Sequence, residues 1–264
     1  MIVADEQIWN RPSAPRLRQW GRALLDALFP LRCGACNTWL DGATEDPLSR
    51  LLCPDCRASL DLIEGPICPL CGQPFASDAI GDHLCGTCLA HPPVYAMARS
   101  AGIYGPPLKT LIHNLKYRDQ RRMARPLGEL LYRTFRRHWR HRTVDLIIPV
   151  PLHPRRLRER GFNQVQFMLR RWPQLFPASA AVPMADDILV RVRHTASQAG
   201  LDRGDRQRNM HGAFRVRRPE TVTGRAVLVV DDVMTTGATV AACAAALTGS
   251  GARRVDVLTL ARAL

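Results

Sequence analysis

From residue 94 onward the chain alternates short apolar runs with apolar residues set three and four apart, the rhythm of strands followed by helices. Runs at 98–104, 144–150, 188–192, 227–230 and 255–260 predict strands. The 144–150 and 227–230 runs lack polar alternation, as expected of strands buried on both faces of a parallel sheet. Leu108, Leu111, Ile112 and Leu115 form one helical stripe, and residues 123–138, 162–172 and 237–248 predict three more helices. This order predicts an α/β domain, a parallel sheet flanked by helices. Residues 193–211 are polar, contain glycine and are too long for a simple connector, which predicts a functional, moving loop.

Upstream the texture differs. Leu17, Trp20, Leu24 and Leu28 repeat at helical spacing and predict an amphipathic packing helix that ends near Phe29 and Pro30. Residues 31–93 then hold CxxC pairs, Pro and Gly with few long apolar runs, as expected where metal replaces a hydrophobic core. The predicted division is residues 1–30, an N-terminal helix; 31–93, a cysteine-rich domain; and 94–264, the α/β domain.

Eight of nine cysteines form four pairs: Cys33/Cys36, Cys53/Cys56, Cys68/Cys71 and Cys85/Cys88. Two-residue spacing presents both thiolates from one tight turn, and two such turns complete a tetrahedral Cys₄ zinc site. Two structural zinc ions are therefore expected, with sequential or interleaved pairing both compatible with the spacing. Cys243 stands apart in an Ala-rich helical stretch and reads as a small buried residue. The opening residues, with Asp5 and Glu6 and no basic leader, predict a protein that stays cytoplasmic. The longest charge-free run, 233–252, is broken by Thr, Gly and Ser, so no membrane span is expected.

Net charge is +14, carried by 35 arginines and only two lysines, and residues 116–171 supply sixteen of these cations. Two readings stay open: a nucleic-acid surface, or an Arg-rich composition with some arginines reserved for phosphates.

The most informative string is VLVVDDVMTTGAT at 227–239. An apolar strand delivers Asp231 and Asp232 to the C-terminal end of a sheet, the usual ligand position in open α/β folds. Thr235, Thr236, Gly237, Ala238 and Thr239 then turn into a helix, so backbone N–H groups and three hydroxyls converge where a phosphate would sit. Neither GxxxxGK[ST] nor GxGxxG follows any strand.

This string resembles the signature of the type I phosphoribosyltransferases, whose acidic pair holds the ribose hydroxyls and the Mg²⁺ region while the Thr/Gly loop holds the 5-phosphate. More of the chain is similar to the ComF family of competence-associated proteins. The resemblance is carried by LKY at 115–117, IPVPLHPRR at 148–156, RGFNQ at 160–164, and 191–214 with Thr195, Gln198, Arg206 and Asn209. It implies a type I phosphoribosyltransferase-like domain behind a double zinc ribbon, and phosphoribosyl diphosphate with Mg²⁺ as ligand. It further implies Lys116, Arg155, Arg156, Arg160, Asn163, Gln164 and Gln198 around the substrate, with the 150–156 loop at the diphosphate. Implied roles are a Mg-dependent phosphoribosyltransferase in DNA uptake or nucleotide salvage, or a non-catalytic single-stranded-DNA or protein adaptor working with a competence helicase or recombination protein. A DNA-binding zinc module with a degenerate sugar-phosphate domain is a third reading. Taken alone, Arg155, Arg156 and Arg160 also fit a solvated basic face, and Asn163 and Gln164 a helix start. The chain stops four residues after Leu260, so a cover over an acceptor base is expected from the zinc domain or the first helix.

Overall fold

The computed structural model describes residues 31–40, 46–75, 81–118, 120–177, 181–193 and 208–264. The predicted 1–30 helix, the bulk of the predicted loop, and Thr195, Gln198 and Arg206 lie outside the described residues.

Within the cysteine-rich domain, the short helices α1 (Pro54–Ala58) and α2 (Gly86–Ala90) each begin at a cysteine of a CxxC pair. Strand β1 (Met97–Ile103) leads to α3 (Leu108–Tyr117) and α4 (Ala124–His138), then to β2 (Leu146–Pro149). Helices α5 (Pro154–Arg160) and α6 (Gln164–Leu169) follow, then β3 (Leu189–Arg191) and β4 (Phe214–Val216). The chain ends with β5 (Ala226–Met234), α7 (Ala238–Gly249) and β6 (Arg254–Arg262).

Four strands form a wholly parallel sheet in the order β1-β6-β5-β2. Side-chain alternation splits its core in two. Ile147, Leu228, Val230, Leu258 and Leu260 face α3, α4 and α6, whereas Leu146, Ile148, Val227, Val229, Val255 and Val257 face α7. Helices on both faces explain why these strands read as continuous apolar runs.

Three elements depart from expectation. The predicted strand 188–192 does not join the parallel sheet: β3 pairs antiparallel with β4, and Ile188, Leu189, Phe214 and Val216 pack on the α7 side. An apolar run reports burial but not the partner strand, and three-residue β4 was too short to signal at all. The 150–156 loop gives way at Pro154 to α5, which has no apolar stripe. Its start is local: His153 Nδ1 accepts from Arg155 N–H and Pro154 takes the first helical position.

Cys33, Leu48, Leu51, Leu52 and Cys53 belong to the same buried cluster as α3 and α4. The first ribbon therefore shares a core with the sheet. No helix among the described residues is long and apolar enough to cross a membrane.

Helix α4 approaches α6 at Gly128, where an added Cβ would stand 2.0 Å from the Met168 carbonyl oxygen. That carbonyl is backbone and cannot swing away, and the Gly128 carbonyl also accepts from Trp172 Nε1 at 2.9 Å. Gly128→Ala is expected to lower stability by about 3 kcal/mol, read as a shifted urea midpoint at unchanged slope. An unchanged midpoint would mean that the two helices do not meet this closely.

Candidate active cleft and metal centres

Strand β5 runs past its last bond to β2. Val150 N–H donates to Val230 O at 2.8 Å, while Asp231 pairs only on the β6 side, opposite Thr259. Beyond Val230 the β2 edge of β5 is open, with α7 on one face of the sheet and α3, α4 and α6 on the other. A cleft of about 360 Å³ fills that opening, lined by Lys116, Arg156, Arg160, Gln164, Asp231, Asp232, Thr235, Gly237, Ala238 and Thr239.

The two carboxylates are not equivalent. Asp232 is 5% exposed, and its Oδ2 meets Lys116 Nζ at 2.8 Å and accepts from Gln164 Nε2 at 2.5 Å. Gln164 in turn accepts at Oε1 from Arg160 at 2.6 Å, and the Arg160 guanidinium lies 5.1 Å from the centre of the Tyr117 ring. Burial is the largest single influence and lowers the Lys116 pKa, but the Asp232 charge, the Asp232 hydrogen bond and the Asp231 charge together outweigh it, and the net shift is upward. Asp231 keeps partial exposure at the cleft and accepts from Asp232 N–H at 2.8 Å. Burial first, then the Asp232 charge, push its pKa up to about 7, against the opposing pull of Lys116.

The turn after β5 is shaped by Gly237, whose φ of 79° suits a residue without Cβ and which caps α7. A side chain there would also meet Met234 Cε at 2.9 Å. Thr235 and Thr239 face the cleft, whereas Thr236 lines a smaller cavity behind the turn and its buried Oγ1 has no hydrogen-bond partner among the described residues.

Of the other predicted site residues, Arg155 turns to Glu159 at 3.0 Å and is not among those lining the cleft. Asn163 is buried and structural in its bonding: Nδ2 donates to Val150 O at 3.0 Å and Oδ1 accepts from Val165 N–H at 2.9 Å, which starts α6 and holds it to the end of β2. Tyr104, Tyr117 and Arg191 line the cleft and were not singled out from the sequence. Arg191 had a signal, since it begins one of the resembling segments. Tyr117 stood next to Lys116 in another. Tyr104 had none. Among the described residues no ribbon residue lines the cleft.

The cysteines pair sequentially: Cys33, Cys36, Cys53 and Cys56 form one tetrad, and Cys68, Cys71, Cys85 and Cys88 the other, each with sulfurs within 4.8 Å of one another. A tetrahedron with Zn–S bonds of about 2.3 Å has edges of roughly 3.8 Å. The Sγ separations of 3.6 Å for Cys36–Cys53 and 3.7 Å for Cys71–Cys85 fit it. All four positions of each site are protein sulfurs, so these are structural zinc sites.

Two family models match the chain. The family model described as Double zinc ribbon domain matches residues 24–89, and Phosphoribosyl transferase domain matches 160–264. The DNA utilization protein YhgH of Escherichia coli K12 is 40% identical over 205 residues, covering 75% of this chain and 85% of that protein. Competence protein F of Haemophilus influenzae is 32% identical over 228 residues, covering 80% and 96%. The chain belongs to the ComF family. Competence protein ComFC of Bacillus subtilis is a more distant relative of this ComF-family chain, 25% identical over 218 residues, with 80% and 84% covered. In the ComF-family cleft described above, Lys116 and Arg156 precede the phosphoribosyl transferase match and are brought to the acidic pair by folding.

Raising the pKa of Asp231 has a signed consequence. A carboxyl whose folded pKa exceeds its unfolded value contributes stability below the unfolded pKa, near 4, and loses it as pH rises through about 7. The unliganded chain is expected to lose this contribution between pH 4 and pH 7, and Asp231→Asn to flatten that section of a melting-temperature profile. Parallel profiles for the two proteins would show that Asp231 titrates normally.

Proposed function

We propose that this chain binds 5-phosphoribosyl diphosphate with Mg²⁺ and serves DNA uptake or DNA utilization in the cytoplasm. The observation that carries this reading is the single cleft that joins the Thr235–Thr239 turn, the Asp231 carboxylate and the cations Lys116, Arg156 and Arg160. The α7 N-terminus and the hydroxyls of Thr235 and Thr239 would hold the 5-phosphate. Asp231 would take the ribose hydroxyls. Arg156 and Arg160 would face the diphosphate, joined by Gln198 from the loop, while Asp232 would fix Lys116 beside them. The names of the relatives support the DNA-uptake setting. The working division is residues 1–30, 31–93 and 94–264.

Mg²⁺ takes hard oxygen donors, commonly one or two carboxylates plus substrate phosphates, and Asp231 offers such a donor. The ion would supply charge neutralisation on the diphosphate. The reaction class that fits is displacement of diphosphate from the anomeric carbon by a nitrogen nucleophile. The chain's role in it is positioning and electrostatic stabilisation of an oxocarbenium-like carbon. In that step Asp231, at the cleft, would accept the proton released by the nucleophile.

Thermal stabilisation tests the reading. Phosphoribosyl diphosphate with Mg²⁺ is expected to add about 2.7 kcal/mol at a hundredfold excess over its dissociation constant. Omitting Mg²⁺, or substituting ribose 5-phosphate, should give less. Equal shifts from all three ligands would overturn the diphosphate assignment. A second reading, a single-stranded-DNA adaptor, is favoured by the exposed cationic surface of Arg136, Arg137, Arg140 and His141 at the end of α4. It requires affinity that falls steeply with salt, and a flat salt response dismisses it.

A further inference from the structure

The second ribbon is fastened to the sheet at one knuckle. Three consecutive carbonyls of the turn between Cys68 and Cys71 accept hydrogen bonds from it. Pro69 O takes Arg99 at 3.0 Å, Leu70 O takes Ala98 N–H at 2.7 Å, and Cys71 O takes Arg262 at 2.8 Å. Gly72, just past the turn, lies so close to β1 that a Cβ would stand 2.5 Å from Ala98 O.

Arg262 differs from the other two donors in what lies on its far side. It ends β6, is 7% exposed, and pairs in register with Met234, the last residue of β5. One guanidinium nitrogen bonds Cys71 O and lies 3.5 Å from Met234 Sδ. The other reaches Gln73 Oε1 at 3.2 Å and Cys71 Sγ at 3.7 Å. Met234 in turn fills the space beneath Gly237, and the Tyr95 hydroxyl lies 3.7 Å from the point where a Gly237 Cβ would be. A cavity of about 260 Å³ lies behind the turn, lined by Cys71 and Cys88 on one side and by Thr235 and Thr236 on the other. Met234 thus stands between Arg262 and the turn, in contact with both.

Charge gives the contact its direction. A zinc ion with four thiolates carries two net negative charges, and a buried guanidinium beside one of the sulfurs is their natural counter-ion. The metal holds Cys71 to Cys68, Cys85 and Cys88, and without it the knuckle that presents the Cys71 carbonyl to Arg262 loses its anchor.

We infer that Arg262 is a positioning residue that ties the second zinc ribbon to the phosphate turn, so that zinc occupancy of that ribbon raises affinity for a phosphorylated sugar. The affinity claim rests on the function proposed above; the tie between ribbon and turn does not. Coupling of this kind is reciprocal: the sugar phosphate must raise zinc retention by the same factor.

The test uses the full chain, with Arg262→Met and Arg262→Lys compared with the unaltered protein. Zinc per chain is measured by native mass spectrometry, amide exchange is followed at 235–239, and phosphoribosyl diphosphate affinity is measured by calorimetry. Arg262→Met is expected to keep both zinc ions, exchange faster at 235–239 than elsewhere in the sheet, and bind about tenfold more weakly. Arg262→Lys keeps a charge near Cys71 without the two-pronged contact and should fall between. If the methionine variant does not fold, the lysine variant carries the comparison alone. Unchanged exchange at the turn, or faster exchange spread evenly over the sheet, overturns the tie. Local loosening in a protein that never binds phosphoribosyl diphosphate leaves the tie standing and overturns the functional reading instead.

Discussion

Replacing Cys53 with serine is expected to remove one of the two zinc ions and to destabilise the sheet domain along with the ribbon. Cys53 lies in the buried cluster that contains Leu111, Met123 and Leu127 of the sheet domain. The same ribbon donates Gly34 N–H to Leu51 O at 2.7 Å and offers Gly34 O to Asn114 Nδ2 of α3 at 3.0 Å. At Gly34 a Cβ would stand 2.8 Å from Leu111 Cδ2, so the knuckle has no room to shift and still cover the core. Structural zinc supplies about 10–16 kcal/mol of apparent folding energy in isolated fingers. A loss of even about 5 kcal/mol would lower the melting temperature by roughly 10–20 °C. Calorimetry with zinc analysis checks this. A sheet transition that stays at its original temperature after the zinc is lost would show that the ribbon folds on its own account.

Breaking the Lys116–Asp232 pair from one side should be nearly as costly. Asp232→Leu leaves Lys116 largely buried with its 2.8 Å partner gone, and removing one member of a buried pair costs about 3–5 kcal/mol. Asp231 also attracts Lys116, so the lower end of that range is expected. Adding Lys116→Met should recover most of the loss, because a well-packed apolar pair often replaces a buried ion pair without penalty. The remaining deficit, about 1 kcal/mol, belongs to Gln164 Nε2, which loses its acceptor. Equilibrium unfolding of the two single variants and the double one measures the coupling directly. Additive losses would mean that Lys116 has another anionic partner or reaches solvent.

Much of the cleft was legible because its chemistry is contiguous. Strand, acidic pair and turn follow one another within 227–239, and three successive steps of local geometry put them at a sheet end. The CxxC pairs were legible for the same reason. Lys116 was visible only as a rare lysine within a resembling segment; its partner lies 116 residues away, and no spacing rule links them. Nor could spacing show which aspartate is locked to Lys116 and Gln164, since the pleat sends neighbours to opposite sides and only the packing of α3 and α6 says which side is closed. Arg155 and Arg156 read alike in the sequence, yet α5 turns one toward Glu159 and the other into the cleft. The 188–192 run was read correctly as a strand and wrongly as a member of the parallel sheet.

The sequence by itself determined what depends on periodicity and short range: an α/β domain with buried strands, four metal knuckles, and a Thr/Gly turn into a helix after two carboxylates. Tertiary structure alone decided which knuckles share a metal, which carboxylate is locked to a lysine, and that Cys71 and Cys88 of the second ribbon lie behind the turn that follows β5. The physical reason is that hydrogen bonds and side-chain spacing within an element act over a few residues, whereas ion pairing, desolvation and close packing act across space. Their outcome is fixed only once distant segments have been brought into contact.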